Sequence, residues 1–290
     1  MLAQKVLDSP RLAPLCRVTR TDKFLGTLLH AKIRRFMAHV PFSFETSKYS
    51  VKTADSGEEL ERVLRLRYDV FYTEVQKRQK ALPLDMDRFD TQCDHLMIID
   101  KRTHELAGTY RMNASLFNST FYSSSEFDIR PILALPGKKL ELGRACVSLQ
   151  HRNSSTIALL WKGINEYLKL TESRYLFGCS SVQTTAVDDA AALYLHLLAK
   201  YGSEKSLRTK TRRAYRISGL EGYADFVEVL QPDFPRSAEK ILPPLLKFYL
   251  KAGAVVCGGP ALDLDFGCVD FLTLLDMQAI DEKVSQKFSK

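Results

Sequence analysis

The chain has 290 residues, 45% hydrophobic and 26% charged, with a formal net charge of +8. That balance is ordinary for a soluble globular protein, and the length gives room for a sizeable core that needs no disulfide or metal staple. No run of eighteen uncharged apolar residues occurs and the N-terminus lacks a continuous apolar core, which argues against a membrane span and a signal peptide.

The charge is concentrated at one end. Residues 1–50 hold nine Lys/Arg and three Asp/Glu, a net +6, so residues 51–290 carry only +2. A basic arm beside a nearly neutral body points to anionic lipid, nucleic acid or an acidic protein as partner, with a solubilising tail as the plain alternative. In the arm, Leu25, Leu28, Leu29, Ile33, Phe36, Met37 and Val40 recur at helical spacing, and Lys23, Lys32, Arg34 and Arg35 fall largely off that stripe. The spacing predicts a basic amphipathic helix closed by Pro41, able to lie on an anionic membrane or to pack on its own domain. The expected division is an arm over 1–47 and one domain over 48–290.

A strand around 48–55 comes next, then a helix capped by Ser56 with Leu60, Val63, Leu64 and Leu66 on its inner face. The helix runs into LRYDVFYTEV (66–75) and a polar loop over 76–94 with Asp85, Asp87, Asp90 and Asp94. Loops of that length are uncommon unless functional. HLMIID (95–100) and ELAGTYRMNAS (105–115) read as a hairpin turned at 101–104. After KKLELGRACV (138–147), a helix capped by Ser154 or Ser155 carries Ile157, Leu160, Trp161, Ile164 and Leu168. Then come a buried strand at 175–182, a helix at 187–202, a basic unpatterned loop at 203–219, an amphipathic helix from Ile241 stopped by Gly253, and short strands near 254–259 and 269–276. The order describes an α/β domain on a mixed, largely antiparallel sheet flanked by helices. The six cysteines form no Cys-x-x-Cys pair and no Cys/His ligand spacing, and read as reduced core residues of a cytoplasmic protein.

KKLELGRACV is the anomaly. Leu140, Leu142, Ala145, Cys146 and Val147 suit an interior, but Glu141 and Arg144 do not unless they are paired or working. Residues three apart in a regular strand point to opposite faces, so the two share a site only where the strand is broken. Gly143 lies between them, and a glycine inside a strand often marks a bulge, which returns both side chains to one face and leaves a backbone N–H unpaired. The plain alternative is an ion pair between Glu141 and Arg144 that ties adjacent elements.

At this point the motifs carry a resemblance. LRYDVF with Arg67 and Phe71, DRFD with Asp87 and Asp90, GTYR with Arg111, and ELGR with Glu141 and Arg144 resemble motifs of acyl-homoserine-lactone synthases. The element order is similar to the GCN5-related N-acyltransferase (GNAT) fold. The fuller set resembles bacterial ornithine lipid N-acyltransferases, often called hemolysin-like, from about residue 48 to about 277: LRYDVFYTEV, Asp94-His95, GTYR, EFD, LELGRACV, YLFGCSS and LPPLLKFYLKAGA. Two departures sharpen it. Lys77 stands where lactone synthases carry a tryptophan, which counts against a lactone product, and QHRNSST lacks the glycines of acetyl-CoA enzymes of the wider fold.

The resemblance implies an N-acyltransferase moving a long, 3-hydroxy or other, acyl chain from acyl carrier protein to an amino-acid amine. Ornithine is the first acceptor expected, giving a lyso-ornithine lipid, with lysine, glycine and glutamine as open alternatives, and no permanently bound cofactor is expected beside the phosphopantetheine thioester of the donor. An acyl-homoserine-lactone or N-acyl-amino-acid signal synthase is the enzymatic alternative; a non-catalytic membrane-surface binding protein of the same fold is the alternative of another class. Acyl transfer to an amine needs a proton acceptor and help for a developing oxyanion. Glu141 is the expected base, directly or through one water, because its flanks imply burial, which raises a carboxyl pKa; Arg144 is the other expected catalytic residue. Asp87 and Asp90 would hold a cationic amine or side chain, Arg111 or Arg144 the acceptor carboxylate, and Arg67 and Phe71 would order the acidic loop. The alternative is that these acids and arginines pair as a structural network. Val147, Arg152, Asn153, Ser154 and Ser155, at a helix N-terminus, would take the phosphopantetheine, with an ordinary cap as the plain reading. Arg152 with Arg208, Lys210, Arg212, Arg213 and Arg216 would dock an acidic carrier protein. No nucleic-acid module and no metal site are expected. His95 reads as a structural hydrogen-bonding residue. The expected location is the cytoplasm, peripheral on the inner face of the membrane through the arm.

Overall fold

The hairpin expected over 95–115 lies in the middle of the sheet, and its period-two pattern explains the layering. The computed structural model describes residues 31–280. In chain order the elements used below are β1 (Ser43–Glu45), β2 (Tyr49–Thr53), α1 (Gly57–Tyr68), β3 (Asp94–Asp100), β4 (Leu106–Ala114), β5 (Lys138–Val147), α2 (Ser154–Thr171), β6 (Ser173–Val182), α3 (Val187–Tyr201), α4 (Leu220–Leu230), α5 (Pro244–Lys251), β7 (Val255–Val256), β8 (Ala261–Asp263) and β9 (Cys268–Asp276). Among the described residues the strands form one sheet in the order β1-β2-β3-β4-β5-β6-β9-β7, with β8 also on β9. Leu96 and Ile98 of β3 cluster with Leu160, Trp161 and Ile164 of α2 on one face. Met97 and Ile99 cluster with Leu60, Val63 and Leu64 of α1 on the other. Helices therefore cover both faces, as the GNAT expectation requires.

Several local expectations shift. Ser56 does cap α1, accepting from the Glu59 N–H. The cap of α2 is Asn153, not Ser154 or Ser155: its side chain accepts from the Thr156 N–H. Ile157 is largely exposed, because it lies off the stripe that Leu160, Trp161, Ile164 and Leu168 bury. α4 was not legible because it buries only a narrow stripe, Leu220, Ala224 and Val227, while Phe226, Val229 and Leu230 stay exposed. β1 and β8, three residues each, are too short to show alternation, yet β1 pairs with β2 ahead of residue 48.

The arm divides. Its predicted helix ends by Arg34, well before Pro41, and residues 22–30 lie outside the described residues. Ile33 and Phe36 are buried against Leu60, Val63 and Leu64, and a side chain at Gly57 would strike the Ile33 carbonyl oxygen. The His39 and Val40 N–H groups then donate to Asp94 at 2.7 and 3.0 Å, which ties this non-helical segment to the domain. The described end of the arm thus packs on its own domain. No helix among the described residues is long and apolar enough to cross a membrane.

β5 and β6 run parallel and pair only from Lys138 to Glu141 against Ser173 to Phe177. Beyond that point β5 stays on β4 and β6 stays on β9, so the two strands fork. Gly178 sits in the crotch: a Cβ there would strike the Leu142 carbonyl oxygen, so a glycine is needed for the strands to part at this place.

Candidate active site

The break expected in KKLELGRACV is present. Arg111 pairs with Gly143 and Thr109 with Cys146, so Arg144 and Ala145 together face Tyr110: a bulge. Its turn is made by Arg144, with φ of 53°, rather than by Gly143, which is not in the left-handed region. A non-glycine residue there is strained and needs its surroundings to hold it. The Arg144 guanidinium lies 4.7 Å from the Tyr122 ring centroid and 4.5 Å from that of Phe266. Its Nη2 donates to Asp87 at 3.1 Å, and its Nε lies 3.4 Å from Asp85. Burial works against its charge, but Asp85, Tyr122 and Asp87 together outweigh this and keep the guanidinium protonated.

Glu141 and Arg144 now line the same cavity, about 270 Å³, in the fork between β5 and β6. They are not an ion pair. Glu141 Oε1 accepts from the Ser123 N–H at 2.7 Å; Oε2 accepts from the Tyr122 N–H at 2.9 Å and Asn113 Nδ2 at 3.3 Å. Both oxygens of the expected base are therefore occupied by donors that stabilise the anion, which suits a brace between β5 and the 121–123 turn. The cavity changes character along its length. Leu176, Leu245, Leu246 and Tyr249 line an apolar part, and Asp263, Cys268 and Asp270 a polar one; Phe71 also reaches it.

The paired acids are committed elsewhere. Arg67, fully buried, donates from Nε to Asp85 at 2.7 Å and from Nη1 to Asp90 at 2.6 Å. Arg111 donates from Nη1 to Asp87 at 2.7 Å and to Asp90 at 3.0 Å. Burial opposes the Asp90 charge, but Arg67 and Arg111 outweigh it and hold the carboxyl far below the usual range. Asp87 and Asp90 are thus tied into a structural network that folds the acidic loop onto β4 and β5, which leaves Asp90 no free oxygen for a cationic substrate. His95 Nε2 bonds the Asp90 carbonyl oxygen at 2.8 Å, and burial takes its pKa down to about 4, in keeping with a structural role.

At the other end of β5, Arg152 donates from Nε to the Val147 carbonyl oxygen at 3.1 Å and forms a two-point pair with Glu74. Asn153 is occupied as the cap, while Ser154 and Ser155 are exposed at the start of α2. Arg208, Lys210, Arg212, Arg213 and Arg216 are all exposed on the 203–219 loop.

Sequence reasoning missed three acids. Carboxylate oxygens of Glu126, Asp263 and Asp270 lie within 4.8 Å of one another, and all three residues are buried. Burial, then Asp270 and Asp263, push Glu126 up to about 9; burial, with Asp263 adding, pushes Asp270 up to about 6. Asp270 carried the same signal as Glu141, a carboxylate inside an apolar strand run.

Comparison with known proteins bears on this geometry. A family model described as an acetyltransferase (GNAT) domain matches residues 66–162. The L-ornithine N(alpha)-acyltransferase of Agrobacterium fabrum is 32% identical over 243 residues, covering 79% of this chain and 81% of that protein. That of Rhodobacter capsulatus is 31% identical over 270 residues, covering 88% and 98%. The chain belongs to the L-ornithine N(alpha)-acyltransferase family. It is an acyltransferase of the GNAT fold, and the matched span carries Arg67, Arg111, Glu141 and Arg144. Among solved structures, an acyl-homoserine lactone synthase is similar at a TM-score of 0.45 and 12% identity, over 80% of this chain and 91% of that one. An N-acyl amino acid synthase from uncultured soil microbes is similar at 0.47 and 10%, over 81% and 95%.

Proposed function

We propose that this family member transfers a long, 3-hydroxy or other, acyl chain from the phosphopantetheine thioester of acyl carrier protein to the α-amine of ornithine, making a lyso-ornithine lipid. The observation that carries the reading is the forked cavity, which joins an apolar part fit for a chain to a cationic anchor at a strand bulge. In this reading the chain lies along Leu176, Leu246 and Tyr249, and the thioester carbonyl faces the bulge, where a backbone N–H stabilises the oxyanion. Arg144 Nη1, which has no hydrogen bond to a described residue, takes the acceptor carboxylate. The amine nitrogen bonds to the carbonyl carbon, the carbon–sulfur bond breaks, and the thiolate takes up the proton the amine gives away. Glu141 acts by holding the 121–123 turn against β5, and Arg67, Asp85, Asp87, Asp90 and Arg111 hold Arg144 in place.

The pantetheine arm enters past Val147 and the exposed start of α2, with Arg152 and Glu74 at its rim. The basic loop with Arg208, Lys210, Arg212, Arg213 and Arg216 receives the acidic carrier protein. The basic residues ahead of Ala31 meet an anionic membrane surface, placing the enzyme on the inner face of the cytoplasmic membrane beside its amphiphilic product. The test is thiol release by the purified chain from a 3-hydroxyacyl carrier thioester with ornithine, with the product identified by mass spectrometry. An Nα-acyl-ornithine is the expected product. Consumption of S-adenosylmethionine with release of a lactone would replace this reading by a signal synthase, and no thiol release with any amine would leave a binding protein.

A further inference from the structure

Ornithine carries two amines, and an enzyme that acylates one of them must disarm the other. The three acids that the network around Arg67 does not use are placed for this. Glu126 closes the short helical turn Ser123–Glu126, Asp263 ends β8, and Asp270 lies in β9, opposite Ser181 of β6 and Ala261 of β8. Glu126 is fully buried, and its Oε1 has no hydrogen-bond partner among the described residues. A buried carboxylate oxygen left bare is costly unless something arrives to meet it. Neutral donors orient four of the other oxygens: Ser181 Oγ to Asp270 at 2.5 Å, Cys268 Sγ to Asp270 at 3.6 Å, Cys179 Sγ to Glu126 at 3.5 Å, and the Asp265 and Phe266 N–H groups to Asp263 Oδ1 at 2.9 and 3.1 Å. Hydrogen bonds from the Arg212 N–H to the Glu126 carbonyl oxygen at 2.6 Å and from the Asp128 N–H to that of Lys210 at 2.8 Å hold the Glu126 segment against the basic loop.

We infer that Glu126, Asp263 and Asp270 form the pocket for the acceptor's side-chain ammonium, so that the δ-amine is bound as a non-nucleophilic cation while the α-amine meets the thioester. The inference rests on the acyl transfer to ornithine proposed above. Phe266 ties the two ends of the acceptor together: its ring lies against the Arg144 guanidinium at 4.5 Å, and its N–H donates to Asp263. A carboxylate on Arg144 and a cation among the three acids thus flank one residue, with the cavity between them. An ammonium offers three N–H donors to three converging acceptors. A hard divalent cation asks for six or more oxygens, and the shell here is completed by two thiols instead. Burial and mutual repulsion raise the Glu126 and Asp270 pKa values, as expected of carboxylates awaiting a positive charge. Bound cation and clustered anions favour each other's charged forms, which keeps the δ-amine protonated.

The experiment compares ornithine with norvaline, which has the same carbon chain without the δ-amine, as acceptors for wild type, Asp270→Asn and Glu126→Gln. Thiol release gives kcat and KM, and tandem mass spectrometry locates the acyl group. Wild type should favour ornithine in kcat/KM by at least roughly tenfold, the size expected of a desolvated charge-assisted contact, and acylate Nα alone. In both variants the preference should fall towards one through a raised KM for ornithine, with Nδ product appearing. A variant that fails to fold leaves the wild-type comparison to decide. Equal treatment of the two acceptors by wild type overturns the inference, as does an unchanged preference in the variants. An equal loss of kcat on both acceptors would make Asp270 the proton acceptor instead, and a stoichiometric divalent ion lost with activity to a chelator would make the cluster a metal site. Either overturns it. No thiol release from wild type with ornithine rejects the functional reading and the inference together; release indifferent to the δ-amine rejects the inference alone.

Discussion

In Glu141→Gln, the carboxylate that ties β5 to the 121–123 turn becomes an amide of nearly the same shape. The amide has one acceptor oxygen where the carboxylate has two. If Nε2 takes the place of Oε1, it faces the Ser123 N–H at 2.7 Å; if it takes the place of Oε2, it faces the Tyr122 N–H at 2.9 Å and Asn113 Nδ2 at 3.3 Å. Either way at least one donor is left opposite another donor in a buried place, and the surviving bonds lose their charge. A hydrogen bond to a charged partner contributes about 1.5–3 kcal/mol, so the substitution should cost about 2–4 kcal/mol. For a chain of this size that lowers Tm by roughly 3–7 °C. The assay pairs a thermal melt with thiol release measured well below the melt across pH. A brace predicts a lowered Tm, kcat reduced by less than roughly a hundredfold and an unchanged acidic limb of the pH profile. A wild-type Tm with kcat down by more than that, and the limb gone, would refute the brace and restore Glu141 as general base.

Asp90→Ala should cost about 3–5 kcal/mol in urea unfolding, because it strands the fully buried Arg67 with Asp85 alone; a cost below about 1 kcal/mol would show that the network is not holding the acidic loop. Gly178→Ala should destabilise by about 1–3 kcal/mol and lower acyl transfer, since its methyl group meets the Leu142 carbonyl at the fork, and near-native melting with full activity would count against the fork as the site. The pH dependence has two signs. Asp90, depressed below its ordinary 3.8, contributes stability above that pH that is lost as pH falls below it. Glu126, raised from 4.5 to about 9, contributes stability below pH 4.5 that is lost as pH rises through about 9, so unliganded protein should lose stability over that window and saturating ornithine should reduce the loss. Calorimetry at pH 5, 7 and 9 with and without ornithine reads it directly.

Period-two alternation in the strands and the stripes of α1, α2, α3 and α5 were legible because burial on one face is a local, repeating demand. The charges in KKLELGRACV were legible for the converse reason: a carboxylate and a guanidinium in an apolar run require an explanation, and the bulge between them followed from strand geometry. What the string could not show was the allocation of partners. Asp87 and Asp90 looked available for substrate because nothing in a linear string says that Arg67, Arg111 and Arg144 converge on them from α1, β4 and β5. Glu141 looked like a base because its donors, the N–H groups of Tyr122 and Ser123, belong to backbone, which every residue has and no motif records. Glu126, Asp263 and Asp270 are separated by up to 144 positions and come together only because β8 and β9 pair and the 123–126 turn lies over them. The sequence by itself determined the fold, the family and the place where the strand must break, since each depends on residue type and local spacing. Only the tertiary structure decided which charges are spent on each other and which remain for a substrate, because pairing depends on distances between elements far apart in the chain.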